Sequence, residues 1–190
     1  MNPVLDISQN EALLIGPHCL FAKKGIAIPG QPSGIVVDAS HKPNTGAIEG
    51  VCWKIIGDVL KVKPGRNITK IKARKPSPCV LRTSKQVVTE IERTYDMTLE
   101  SVTRLSMEAA FGTEFNSETH IGEIDSITSF EGWFMWIGYD DYKKKRLIVN
   151  AYGQLTCDDP PDFGSEEFVK LVCQLEQYYT PIKNNIKYID

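Results

Sequence analysis

Between Lys54 and Lys85 ten residues are Lys or Arg and only one, Asp58, is acidic. Most of these cations fall on what reads as a single β-hairpin. The chain has 190 residues and a formal charge of −2, so the remainder must be strongly negative. Charge is segregated along this sequence and not merely balanced.

The hairpin reading starts from Asp58 to Lys63 and Ile68 to Ala73, which flank the turn formers Pro64-Gly65-Arg66-Asn67. A four-residue loop there sets Leu60 opposite Ile71 and Val62 opposite Thr69 on a face that seeks a core. It sets Lys61 opposite Lys70 and Val59 opposite Lys72 on the other. Like charges directly across a ribbon cost a few tenths to about 1 kcal/mol per pair unless an anion lies between them. Lys63, Arg66, Arg74, Lys75, Arg82 and Lys85 extend the patch, and Lys143, Lys144 and Lys145 form a second basic cluster. The ordinary alternative is that these long side chains splay into water.

A hydrophobic content of 42% is enough for a buried core, and one globular domain over 1–190 is the simplest division. Within it, 1–50 reads as short strands and loops, 51–112 as the basic hairpin plus two helices, and 113–190 as a strand pair plus a helix. Cys19, Cys52, Cys79, Cys157 and Cys173 are widely spaced, with no Cys-x-x-Cys pair, and read as reduced. Met1 to Gly16 lacks the basic start and long apolar centre of a signal peptide. No apolar stretch approaches the ~20 residues of a membrane span, and a cytoplasmic protein is the expectation. The sequon Asn67-Ile68-Thr69 then carries no weight.

Thr83-Ser84-Lys85-Gln86 fits a capping box, and Val87, Val88, Ile91 and Tyr95 recur at helical spacing. A second stretch from Thr98 carries Leu99, Val102, Leu105 and Ala109 before Gly112 stops it, which predicts a helix pair kinked near Asp96. His120 to Phe130 reads as a strand, as do Trp133 to Tyr139 and Arg146 to Tyr152. Ser165 to Tyr179, with Phe168, Val172, Leu175 and Tyr179 on one side, predicts a C-terminal amphipathic helix. The fold class expected is α+β, with antiparallel hairpins around a central helix pair.

An enzyme reading would use Cys19 as a nucleophile with His41 or His120 as its base, but nothing in the spacing fixes that geometry. Asp140-Asp141 and Asp158-Asp159 with Asp162 lack EF-hand spacing, and no glycine-rich phosphate loop occurs. Neither a metal nor another cofactor is expected. Trp133, Trp136, Tyr139 and Tyr142 beside the Lys143 to Arg146 tip could stack on bases, although core packing explains them as well.

The run Lys70 to Ala73, a proline-containing loop, then Val80-Leu81-Arg82-Thr83 leading to helices ending near Tyr95 and at Phe111-Gly112, resembles the central part of rhabdovirus matrix proteins. Trp133 to Ile189 is similar in element order to their C-terminal part. The resemblance implies a viral structural protein that self-associates and bridges a nucleocapsid or its RNA to an anionic lipid surface, in virion and cytoplasm. It has departures: Met1 to Gly50 holds no Pro-Pro-x-Tyr motif, and Pro160-Pro161-Asp162-Phe163 ends in Phe. The leading expectation is a non-enzymatic interaction protein using its basic hairpin. Beside it stand a small inhibitor, of the immunity or anti-defence kind, that covers a basic target with acidic helices, and a Cys–His hydrolase.

Overall fold

A computed structural model describes residues 14–44, 52–77, 80–100, 103–123, 129–139, 142, 144–157 and 170–189. Its centre is the sequence Phe-Glu-Gly-Trp-Phe-Met-Trp-Ile-Gly-Tyr, apolar on both faces as only a strand covered from both sides can be. This strand, β5 (Phe130–Tyr139), pairs antiparallel with β1 (Leu14–Lys23) on one edge and β6 (Lys145–Cys157) on the other. Around them come β2 (Lys54–Ile55), β3 (Val59–Ser77), β4 (Val80–Leu99), β7 (Leu171–Gln177) and β8 (Asn185–Tyr188). The order across the sheet is β2-β1-β5-β6-β7-β4-β3, and β8 pairs with β6 over Leu147 to Asn150, end to end with β7.

Alternation along β1 and β5 sends neighbours to opposite cores. Phe21, Phe134 and Trp136 join Val62, Tyr95, Met97, Leu155 and Leu175 on one side, with Leu105 and Ala109 of the helix α1 (Arg104–Phe111). Leu20, Ala22, Trp133, Met135 and Tyr152 meet Trp53, Ile28 and Val37 on the other. The second core is roofed by the 24–44 segment, where Gly25 and Gly34 take φ of 89° and 100° and Ala27 bridges Val36. Trp133 Nε1 donates to Asp38 O at 2.8 Å and pins that roof to β5.

The predicted helix pair is not formed. Thr83 to Tyr95 is the strand β4, continuous to Leu99, and among the described residues of the second stretch only Arg104–Phe111 is helical. Thr103 caps that helix, its hydroxyl accepting from Ser106 N, and Gly112 ends it with φ of 62° as the sequence predicts. In the C-terminal stretch, Leu171–Gln177 is strand β7, while 158–169 lies outside the described residues. The architecture is therefore mostly antiparallel β with one short helix among the described residues, not α+β. The helix ending near Tyr95 had carried much of the matrix-protein resemblance. Of the His120 to Phe130 stretch, only Phe130 is strand, His120 to Glu123 being loop and 124–128 outside the described residues.

Two strand predictions stand, since Trp133 to Tyr139 and Arg146 to Tyr152 are the paired β5 and β6. The reduced state expected of the cysteines does not hold for all. Cys157 and Cys173 are direct cross-strand partners on β6 and β7, Cα atoms 4.2 Å apart, and form a disulfide. Cys19 and Cys52 are free and buried, and Cys79 lies outside the described residues. No helix among the described residues is long and apolar enough to cross a membrane.

Candidate docking ribbon and the cleft at its root

The hairpin exists, but it is far longer than the sequence predicts and turns elsewhere. β3 runs straight through Pro64-Gly65-Arg66-Asn67, which pairs with Glu92 to Tyr95, and the ribbon extends as far as the Ser77–Val80 pair. Two local facts explain why Pro64 and Gly65 make no turn. β3 is the last strand of the sheet, where a residue without an N–H can face outward, and Gly65 leaves room for the Thr94 hydroxyl. Asn67 Nδ2 donates to Glu92 Oε2 at 3.0 Å across the ribbon.

Among the described side chains the ribbon enters the core at its base, through Val59, Val62, Tyr95, Met97 and Leu99. From Arg66 to Ser77, roughly 40 Å at about 3.3 Å per residue, β3 and β4 form a two-stranded ribbon with no third strand among the described residues, because β7 stops pairing with β4 at Thr94. Ile71, Val87, Val88 and Ile91 are exposed along it, Ile71 by 63%. An isolated two-stranded hairpin is marginal in water.

Register separates the charges by face. Direct partners share a face, so Val62 and Met97, which point into the core, continue as Pro64 with Tyr95, Arg66 with Arg93, Ile68 with Ile91, Lys70 with Val88 and Lys72 with Gln86. No acid stands on this face among the described side chains. On the other face Lys63 meets Asp96, Asn67 meets Glu92, Thr69 meets Glu90, and Lys61 meets Thr98. The expected Lys61–Lys70 apposition does not occur, nor does Val59 opposite Lys72. The register instead apposes like charges at Arg66–Arg93 and at Lys75–Arg82, and such a pair costs a few tenths to about 1 kcal/mol where no anion screens it. Arg74 and Lys75 pair by backbone with Thr83 and Arg82. At the other tip Lys144 follows Tyr142, Lys145 opens β6, and Lys143 lies outside the described residues.

Where the ribbon leaves the body, its core-side face overhangs β6 and β8. A cleft of about 370 Å³ lies there, lined by Arg66, Arg93, Tyr95, Trp136, Val149 and Ile186 among others. It adjoins a second of about 590 Å³ that shares Arg93, Tyr95 and Ile186 and reaches Asn150 and Lys183. Trp136 and Asn150 are 7% and 5% exposed. The Trp136 indole Nε1 and Asn150 Oδ1 find no hydrogen-bond partner among the described residues, although Asn150 Nδ2 donates to Asn185 Oδ1 at 2.9 Å. Sequence reading weighed Trp136 as a stacking residue, but Arg93 and Asn150 gave no signal, because their meeting depends on long-range register.

The Cys–His residues are not brought together. Cys19 is buried in the core beneath β3 and β4, where desolvation pushes its thiol up to about 12, so the nucleophilic thiolate is scarce. His41 sits with Asp38 on the opposite roof, Nδ1 to Oδ1 2.9 Å, and His120 occupies an exposed loop at φ of 57°. No group of three or more metal-ligating side chains occurs among the described residues; Asp140, Asp141, Asp158, Asp159 and Asp162 lie outside them. Compared with protein-family models and with curated proteins, the chain matches none.

Proposed function

We propose that this is a non-enzymatic structural protein that self-associates, its basic ribbon lying on a second copy. The observation that carries the reading is the overhang: two strands leave the sheet with isoleucines and valines exposed and, among the described residues, no third strand paired with them. Such a ribbon gains its missing burial from whatever it lies on. Charge supports the choice of a second copy. Lys63 to Arg93 holds nine Lys or Arg against two Glu, so a chain of charge −2 carries nine net negatives outside the ribbon. Those negatives fall on residues outside the described ones, so the ribbon of one copy complements in charge the remaining sequence of another and not its described surface.

Sedimentation velocity over a series of protein and salt concentrations tests this. Association at low salt that weakens as salt rises is expected, with at least tenfold weaker association in a Lys70→Glu, Lys72→Glu double variant. A wild-type chain that stays monomeric throughout would overturn the proposal.

A second reading keeps the polyanion partner of the resemblance, an anionic leaflet or ribonucleoprotein. Its specific support is the acid-free face holding Arg66, Lys70, Lys72 and Arg93. Each such charge near an anionic bilayer contributes about 1 kcal/mol. Pelleting with anionic but not neutral vesicles, by a chain that remains monomeric, would favour this reading over self-association.

A further inference from the structure

The cleft at the ribbon root is built differently from the rest of the ribbon, because its polar groups converge. Arg66 and Arg93 are direct cross-strand partners and both line it. Neither has an ion-pair partner among the described residues. Two guanidinium groups facing each other on one ribbon are a poor arrangement when empty and a good one around an oxyanion, which each can grip through two N–H groups. The independent observation is Trp136, which lines the same cleft from β5. Its indole N–H is buried with no acceptor among the described residues, and a buried donor left unmet is costly enough that native proteins seldom keep one. Asn150, with a buried Oδ1 that also has no partner among the described residues, lines the adjoining cleft. Val149 and Ile186 supply apolar wall.

We infer that this cleft binds an oxyanion, a carboxylate or phosphate group, held between the Arg66 and Arg93 guanidinium groups with the Trp136 indole N–H as a further donor. The anion removes the repulsion between the two arginines and meets the buried donor at once. Self-association is not required for this site, since all its walls come from one chain. The anion has two possible sources, a free small molecule or a side-chain carboxylate of a second copy.

The test follows the Trp136 indole N–H in ¹⁵N–¹H spectra, where the chain's three tryptophans give three resolvable signals and Trp136→Phe assigns one. Inorganic phosphate and sodium acetate are titrated separately at constant ionic strength into protein dilute enough to be monomeric. A third series raises protein concentration with neither anion present. Saturable movement of the Trp136 signal with added anion, weakened at least fivefold in Arg66→Gln and in Arg93→Gln, supports a free ligand. The same movement on raising protein concentration alone, with the same sensitivity, supports a neighbouring carboxylate. Both arginines are exposed, so the variants should keep the wild-type spectrum elsewhere. Failure of every series to move the signal, or movement unchanged in both variants, would overturn the inference.

Discussion

Gly132 of β5 and Gly153 of β6 are direct cross-strand partners, and each stands where the next strand out comes too close for a side chain. A Cβ on Gly132 would run into the Ala22 carbonyl of β1, and one on Gly153 into the Glu176 carbonyl of β7. The pair lets four consecutive strands crowd together at one level of the sheet. Backbone, not a flexible side chain, is the obstacle, so the sheet itself would have to shift. Gly132→Ala and Gly153→Ala should each destabilise the protein by about 1–3 kcal/mol, read as a lower urea midpoint. The two losses should not add, because neighbouring sites share one distortion.

Ile68 and Ile91 form a direct pair on the acid-free face of the ribbon, with Ile91 exposed. Ile91→Ser should therefore weaken self-association about tenfold while moving the urea midpoint of the monomer by less than about 0.5 kcal/mol equivalent. Sedimentation and urea titration of the same preparation check both. A large stability loss with intact association would place the isoleucine in the core's service instead.

The Cys157–Cys173 bridge closes a short loop, sixteen residues apart in sequence, that contains the segment outside the described residues. Loop-closure entropy alone assigns about 3 kcal/mol to such a bridge. A Cys157→Ser, Cys173→Ser double variant should lose stability of that order, and added reductant should lower the wild-type midpoint towards it. No effect of reductant would argue that the bridge is not formed in solution.

Glu131 is subject to opposed influences: burial raises its pKa, while the Lys24 ammonium at 2.8 Å and the Tyr152 hydroxyl lower it, and the lowering prevails. A folded pKa below the unfolded one, about 4.3, means stability present above that value and lost as pH falls through the folded pKa. Glu131→Gln should be less stable at neutral pH than wild type, and the gap should close on acidification below about pH 4. Midpoints measured from neutral pH downward decide it; a gap that widens would reverse the sign assigned here.

Cys19, buried and with its thiol pushed up to about 12 by desolvation, should resist alkylation in the folded protein. Iodoacetamide followed by peptide mass mapping should label it only after unfolding. Rapid labelling in the native state would revive the thiol-nucleophile reading.

Much of the centre of the fold was legible from sequence because β5 and β6 are apolar on both faces, a pattern a half-exposed helix cannot carry. β4 was misread for a definite reason. Its pairing slips at Thr89, so Thr69 pairs with Glu90 but Lys70 pairs with Val88. That bulge changes the parity of the strand, and Val88, Ile91 and Tyr95 share a face at spacings of three and four, the signature of a helix. A similar ambiguity arises where Leu171 and Leu175, four apart, both point inward from β7. The basic hairpin was found by charge, yet its partners were misassigned because Pro64-Gly65 offered a turn that an edge strand did not need. The root cleft was illegible altogether, joining residues from β3, β4, β5, β6 and β8.

β5 carries Trp133-Phe134-Met135-Trp136-Ile137 with both faces covered in the native state. Once heat opens the sheet, that run is a sticky β-prone stretch with Glu131 as its nearest flanking charge. Melting should therefore end in precipitate and not in a refoldable coil, and the melting temperature should climb with scan rate. Durability of this protein is then a matter of how slowly it opens, which makes unfolding half-life the quantity to compare among its variants.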